Sequence, residues 1–319
     1  MRRSLWSCVM LFSLALPAWA ADPVADAAAL LKAKDPRAEA TIKGLVKSQP
    51  RNPEVHILQA RLWLQKGEAE EAVDAAERAV DLAPDSAQAH YWLGNSYGNR
   101  IGQVGMLSQA MMAPKLRDAF ERAVQLDPDL HDARISLVEY YLQAPAIAGG
   151  SVDKARAQAA ELARRDPPRG HYARGRIATM EKKPAEAAQA FAAAYAARPD
   201  NKDYRMMAGL GYQETAQWPK AFALFEAWTA EDPKSAMAWY QLGRTSALSG
   251  QRLDIGAAAL KQYLTLPTVR GQPGPQHAWY RLGQVQAHAG DKAAARASFE
   301  RAIKAEPDNA QFKAALAAL

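Results

Sequence analysis

The stretch WYRLGQVQAHAGDKAAARASFERAIKAEP, residues 279–307, decides the fold. It starts with aromatic residues, passes a glycine and then runs through alanine-rich sequence to a phenylalanine and a proline. The spacing from Gly283 to Phe299 is the same as that from Gly175 to Phe191. A spacing that recurs in this way indicates a repeated structural unit.

The prolines follow a rhythm of their own. Pro50 and Pro84 are 34 residues apart, as are Pro199, Pro233 and Pro267 in succession. The segments around Pro84, Pro128, Pro199, Pro233 and Pro307 are similar, and each reads as the end of a helix, then proline, then a signal for the start of the next helix. Alanine-rich segments with Leu, Gln, Glu, Lys and Arg favour helix. No stretch alternates polar and apolar residues over the length of a strand, so the sequence predicts an all-α protein.

The combined pattern resembles the tetratricopeptide repeat (TPR), which reads W-x2-L-G-x2-Y, then A-x3-F, then P. In the last repeat the matching residues are Trp279, Leu282, Gly283, Ala295, Phe299, Ala302 and Pro307. The resemblance implies a right-handed α-solenoid of about seven helix-turn-helix repeats, each with a helix A and a helix B. Small residues at the glycine and alanine positions are expected to let the two helices approach closely.

The phase of the repeat predicts where the segments lie. We expect helix A of each repeat to begin at Pro53, Ala87, His131, Pro168, Lys202, Ala236 and Gln276. The predicted segments are a signal peptide (1–20), a degenerate N-terminal repeat (21–52), the solenoid (53–307) and a capping helix (308–319).

Three insertions near residues 99–115, 144–151 and 268–275 lengthen the 34-residue step. Insertions in solenoids map to loops that often carry function. The first is rich in methionine, including Met106, Met111 and Met112. It allows three interpretations: longer helices whose apolar side joins the core, a contact surface for a partner, or a copper(I) site.

Residues 1–20, MRRSLWSCVMLFSLALPAWA, have two arginines, a short apolar run and an A-x-A cleavage motif. We therefore expect export to the periplasm of a Gram-negative bacterium, with cleavage after Ala20 and a soluble product without a membrane span. Cys8 is the single cysteine, so the product would contain none. Cleavage would leave a formal charge of about +4 without a basic block, which argues against nucleic acid as a partner.

The segment Gly94-Asn95-Ser96-Tyr97-Gly98 also matches G-x-S-x-G, the nucleophile elbow of hydrolases. The elbow needs a strand before the serine and a helix after it. The repeat instead places Ser96 within a helix, so a serine hydrolase is the least favoured alternative.

The sequence contains no other catalytic constellation and no phosphate loop. The six histidines do not form a metal-binding motif, and His90, His131 and His171 lie near helix starts, where packing or surface roles are expected. We expect no catalytic residue, no cofactor and no metal.

The resemblance implies that helix A lines a concave groove with its fifth and ninth residues. The groove residues are then Arg61, Tyr91, Asn95, Tyr172, Arg176, Tyr240, Arg244, Tyr280 and Gln284. Tyrosine offers rigid amphipathic area, and arginine offers two parallel hydrogen bonds to a carboxylate. The expected ligand is a protein or peptide segment, with an acidic or C-terminal carboxylate.

The sequence thus predicts a non-enzymatic scaffold in envelope assembly, secretion or maturation of exported proteins. Presentation of apocytochrome c is one variant, but the chain has no haem motif. The alternative is a component of polysaccharide export or of an outer-membrane structure. Glycan binding would require exposed rings at Trp92, Trp218 and Trp239, whereas the repeat predicts that Trp239 is buried.

Overall fold

The computed structural model describes residues 22–269 and 271–319. These residues form 17 α-helices and a 3-10 helix, and they contain no β-strand. The chain divides into two compact units, Met1–Pro128 and Asp129–Leu319. The predicted signal peptide lies outside the described residues.

The described part of the first unit contains six helices. They are α1 (Pro23–Lys32), α2 (Ala38–Ser48), α3 (Pro53–Lys66), α4 (Ala69–Leu82), α5 (Ala87–Ile101) and α6 (Met106–Leu126). Successive helices pack on one another, and α3 also packs on α5. The core of α1 to α3 is built from aliphatic side chains, among them Leu31, Ile42 and Val55.

The second unit has the same kind of arrangement. It contains α7 (His131–Gln143), the 3-10 helix Ala146–Ala148, α8 (Val152–Arg165), α9 (Pro167–Met180), α10 (Pro184–Ala197), α11 (Lys202–Glu214), α12 (Trp218–Glu231), α13 (Ala236–Ser249), α14 (Leu253–Thr265), α15 (Pro275–His288), α16 (Lys292–Ala305) and α17 (Ala310–Ala317). Helices α7 and α9 contact each other, as do α13 and α15, so helices A of successive repeats pack together.

Seven helix pairs, from α3/α4 to α15/α16, have the helix-turn-helix arrangement of the predicted α-solenoid, two of them in the first unit and five in the second. Five of the seven helices A begin at the predicted residue. Helices α9 and α15 begin one residue earlier, at Pro167 and Pro275. Proline suits the first helical position because its φ is already helical and its missing N–H would have no partner there.

Several helices A are started by a polar side chain that caps their first turn. Asn52 accepts a hydrogen bond from the Glu54 N–H (3.0 Å), and Ser86 accepts one from the Ala89 N–H (3.2 Å). Such caps satisfy backbone donors that have no partner inside the helix. In these repeats the polar residue after the proline therefore fixes where the next helix begins.

The glycine of helix A and the phenylalanine of helix B lie in direct contact. A Cβ atom added at Gly175 would lie 2.5 Å from the Phe191 ring, and one added at Gly283 would lie 2.5 Å from the Phe299 ring. Both distances are shorter than the non-bonded contacts that real Cβ atoms make, so no side chain larger than that of glycine fits without a shift of the ring. The glycine–phenylalanine spacing thus recurs in the sequence because the phenylalanine ring of helix B packs directly against the backbone of helix A, where only glycine leaves room for it.

The long first insertion preserves this contact. Gly94 still faces Phe120, although the insertion lengthens the sequence between them. Phe120 is the fifteenth residue of α6, whereas Phe191 is the eighth of α10. The extra two turns of α6, about 10 Å of helix, therefore precede the contact and extend past the end of α5. Here Met106, Leu107 and Met111 are 86%, 77% and 62% exposed, so the apolar side of this segment does not fully join the core.

Side chains of helix A also bind the loop that precedes them. The Nε2 atoms of His56 and His90 lie 2.9 and 2.8 Å from the carbonyl oxygens of Pro50 and Pro84, at the same sequence separation in both cases. Trp239 Nε1 donates to the carbonyl of Pro233 in the same way (2.9 Å). We call this recurring hydrogen bond the proline clasp.

Candidate functional site

Ser96 lies inside α5 and is fully buried. Its Oγ donates a hydrogen bond to the Trp92 carbonyl one turn earlier (2.8 Å), which is a common partner for a serine within a helix. A nucleophile elbow needs a strand–turn–helix context and an accessible hydroxyl. The geometry around Ser96 offers neither.

Three of the six histidines contact backbone carbonyl oxygens. His56 and His90 form proline clasps, and His288 Nε2 lies 3.2 Å from the Ala247 carbonyl oxygen. Among the described residues, no group of three or more histidine, cysteine, aspartate or glutamate side chains could hold a metal ion.

In the first unit, Arg61, Tyr91 and Asn95 lie on α3 and α5. The Arg61 guanidinium lies 5.0 Å from the centre of the Trp92 ring, and Tyr91 meets the same ring edge-on at 5.2 Å. Burial lowers the pKa of Arg61, an effect that nearby Tyr91 opposes in part. Asn95 donates to the Tyr91 carbonyl (2.8 Å), so its amide is engaged with its own helix.

In the second unit, Arg176 already has a carboxylate partner. Its Nε and Nη2 atoms donate to the two carboxylate oxygens of Glu139 at 2.6 and 2.7 Å. These hydrogen bonds raise the pKa of Arg176 above its usual value. Tyr172 stacks on Tyr204 at 5.4 Å, and burial raises its pKa. Arg176 therefore holds α9 against α7, and Tyr172 packs α9 against α11.

Tyr240 and Tyr280 are buried rather than displayed in a groove, with exposures of 6% and 5%. Tyr240 packs on Tyr263 at 5.4 Å, and Tyr280 stacks on Phe312 of the last helix at 4.9 Å. Their rings contribute to the core and leave little area for a ligand.

Arg244 differs from Arg176 because its hydrogen bond goes to a neutral group, the Gln213 amide oxygen. Gln213 in turn donates to Thr245 Oγ1 (2.8 Å) and to the Gln241 carbonyl (3.1 Å). Burial, and then the charge of Arg281, lower the pKa of Arg244, and the nearby Tyr240 and Glu214 oppose this lowering in part. Two guanidinium groups from α13 and α15 thus lie close enough to repel each other.

Arg281 also has a neutral partner. Its Nη1 donates to the Gln284 amide oxygen (2.8 Å), while Gln284 Nε2 donates to the Tyr280 hydroxyl (3.0 Å). Its Nε is buried without a hydrogen-bond partner. In the part of the chain that the structure describes, neither Arg244 nor Arg281 forms a salt bridge.

Sequence reasoning found Arg244 and Gln284 but missed Arg281, Gln213 and Glu139. Arg281 was visible in the segment WYRLG, beside the position expected to line the groove. Gln213 and Glu139 lie on neighbouring helices and carry no signal in a single repeat. Only the packing of α7, α9, α11, α13 and α15 brings them to these arginines.

The tryptophans do not form an exposed stacking surface. Trp239 is half-buried and donates to the Pro233 carbonyl, and Trp92 is covered on one face by Arg61. Trp218 is half-buried against the core of α9 to α14. This arrangement provides no direct support for glycan binding.

Comparison with known proteins agrees with this fold. The tetratricopeptide repeat family model matches residues 36–87, 70–97, 146–202 and 245–310, more than half of the chain. The chain belongs to the tetratricopeptide repeat family. Members are generally non-enzymatic interaction scaffolds, and the fold supports binding of a protein or peptide.

Three solved structures share the fold at low identity. TTC0263, a thermophilic TPR protein of Thermus thermophilus, is 18% identical, with a TM-score of 0.52 over 59% of this chain and 96% of that one. The Cut9–Hcn1 hetero-tetramer of the APC/C is 17% identical, with a TM-score of 0.57 over 88% of this chain and 51% of that one. The human IFIT1 dimer with m7Gppp-AAAA is 15% identical, with a TM-score of 0.56 over 90% and 72%. No curated protein sequence matches the chain.

None of the helices within residues 22–269 and 271–319 is long and apolar enough to cross a membrane.

Proposed function

We propose that this protein is a scaffold that binds a carboxylate-bearing segment of a partner protein with Arg244 and Arg281. The observation that carries the proposal is that neither guanidinium group of this pair forms a salt bridge within the described residues, although the charge of Glu214 partly offsets that of Arg244. Their pairing differs from that of Arg176, whose charge Glu139 neutralises. A side-chain or C-terminal carboxylate would supply the missing countercharge.

The chemistry of arginine supports this ligand class. A guanidinium group presents five N–H donors in a planar fork that matches a carboxylate with two parallel hydrogen bonds. The orphaned Nε of Arg281 and its repulsion with Arg244 both disfavour the ligand-free arrangement. An anion between the two side chains would give the Arg281 Nε a hydrogen-bond acceptor and would reduce the repulsion between Arg281 and Arg244. Gln213 and Gln284 orient the arginines through their amide oxygens.

The cellular setting belongs to the same proposal. Residues 1–20 have the pattern of a cleaved signal peptide, which favours a periplasmic scaffold of a Gram-negative bacterium. The partner would be a protein in envelope assembly, secretion or maturation of exported proteins. Fractionation of cells and mass determination of the mature N-terminus test the location independently of the groove.

The binding test uses in-cell crosslinking and capture, followed by affinity measurement with the purified partner. We expect Arg244→Ala with Arg281→Ala to weaken binding more than tenfold, which corresponds to about 1.4 kcal/mol or more. Arg176→Ala is the matched control, since it removes a guanidinium that already has an internal partner. Equal affinity of the wild type and the double variant would refute the role of this arginine pair.

A further inference from the structure

A surface groove in the unit Asp129–Leu319 is formed by α8, α9 and α10. It is an open groove of about 850 Å³, within the range of pockets that hold ligands. The side chains from α8 are Arg156, Ala159, Ala160, Ala163 and Arg164, and those from α10 are Glu186, Gln189, Ala190 and Ala193. Both sets follow the spacing of one helical face.

The groove exists because its walls are made of alanine. Helices α8 and α10 both pack on α9, which supplies Ile177 and Ala178 to the groove. A methyl group is too short to fill the space between the two walls. The α9 backbone at Gly170 already touches Ala163 of α8, closer than any added Cβ would allow. Helices α8 and α9 are therefore already in contact at that point and cannot move closer together to fill the groove.

The charge of the groove is positive. Four of its side chains are Arg or Lys, against Glu181 and Glu186. Arg156 pairs with Asp153 and Glu181, and Lys183 pairs with Glu181 and Glu186, so the charges of both are offset within the fold. Arg164 pairs with Glu161 on its own helix.

Arg174 has no such carboxylate partner among the described residues. It donates from Nη2 to Nδ1 of His171 (2.7 Å) on the previous turn of α9. Burial of His171, and then the charge of Arg174, lower the pKa of the imidazole. Both effects favour the neutral imidazole, and the positive charge of Arg174, which no carboxylate offsets in the described residues, faces the groove.

We propose that this groove binds an amphipathic helix of a partner protein, with small apolar residues on the alanine walls and an acidic residue paired with Arg174. Alanine surfaces allow another helix to approach within about 8–10 Å between axes. Each wall is a helix of 14 residues, which suits an occupant of similar length. The site lies on other side chains than Arg244 and Arg281, so it is independent of the function proposed above.

The test uses two fluorescently labelled helical peptides, each as long as one wall of the groove. Both carry Ala and Leu on one face, and one has glutamate where the other has lysine on the flanks. Anisotropy titrations with the full chain should show that the glutamate peptide binds at least tenfold more tightly. Arg174→Glu should reverse this preference, a gain of binding that misfolding cannot produce.

Ala190→Trp should fill the groove and weaken binding of the glutamate peptide more than tenfold. The matched controls are Ala227→Trp on the exposed face of α12 and Lys234→Glu, an exposed charge change elsewhere. Both controls, and Arg244→Ala with Arg281→Ala, should bind the glutamate peptide like the wild type.

Three results would overturn the inference: no binding of the glutamate peptide at millimolar concentration, equal binding of both peptides, or unchanged binding by Arg174→Glu and Ala190→Trp. Sedimentation velocity tests the other possible occupant of the groove, a second copy of this chain. A wild-type dimer that Ala190→Trp dissociates would overturn it as well, because it would assign the groove to a second copy of this chain.

Discussion

Gly94 and Gly98 offer a test of the packing principle within a single helix. Both lie in α5, one turn apart, and they are the two glycines of the G-x-S-x-G match. A Cβ at Gly94 would lie 2.5 Å from the Phe120 ring, whereas a Cβ at Gly98 would meet Leu116 at 3.6 Å, an ordinary contact. The same methyl group therefore has opposite consequences at the two positions.

The expected magnitudes follow from this geometry. Replacing glycine by alanine inside a helix contributes about 1 kcal/mol of stability in either case. At Gly98 nothing opposes it, so Gly98→Ala should be about 1 kcal/mol more stable than the wild type. At Gly94 the Phe120 ring must move, and overpacking costs about 1–3 kcal/mol. Gly94→Ala should therefore be less stable than Gly98→Ala by about 1–3 kcal/mol.

Urea unfolding followed by tryptophan fluorescence measures the difference, because Trp92 lies on the same helix. Amide hydrogen exchange of α5 gives a second readout that does not assume a single unfolding transition. Combining Gly94→Ala with Phe120→Leu should recover part of the loss, with a coupling energy of about 0.5–3 kcal/mol. Equal stabilisation by the two alanines, or no coupling with Phe120, would refute the reasoning.

Three further outcomes are expected. Burial alone would raise the pKa of Asp166, but hydrogen bonds from Arg169 lower it overall. The contribution of Asp166 to folding stability is therefore complete above the unfolded pKa of 3.8 and is lost as pH falls through the lower folded pKa. In acid titrations of unfolding, Asp166→Asn should cost about 3 kcal/mol at pH 7 and should flatten the dependence of stability on pH below pH 4. His90→Ala removes the proline clasp to Pro84 and should cost about 0.5–1.5 kcal/mol in urea unfolding, and a wild-type midpoint would contradict the clasp. Met106→Lys should change thermal stability by less than about 0.5 kcal/mol, since this side chain lies outside the core, and a larger loss would mean that the start of α6 is packed.

The repeat architecture could be predicted because its determinants are local or periodic. Proline, a polar cap and a glycine–phenylalanine spacing recur in phase, so each copy supports the others. The predicted start of α13 at Ala236 is correct for this reason, since Ser235 caps it. The start of α9 was displaced by one residue because two consecutive prolines, Pro167 and Pro168, both suit the first turn.

The candidate site could be predicted only in part, because its chemistry depends on contacts between repeats. The periodic pattern places Arg176 and Arg244 at equivalent positions, yet one faces Glu139 and the other faces Gln213. These neighbours lie on other repeats, far away in sequence, and follow no motif. The same limit applies to Tyr280, which stacks on Phe312 of α17, outside its own helix pair.

The proline clasp has a consequence for how such chains are lengthened or shortened. In each clasp the carbonyl belongs to the end of one repeat and the donor to the beginning of the next, as with Pro84 and His90. A genetic exchange that joins foreign repeats at the loop after proline separates donor from acceptor. An exchange within helix B keeps them together. Functional chimaeras of this protein should therefore be built with crossovers inside the second helix of a repeat.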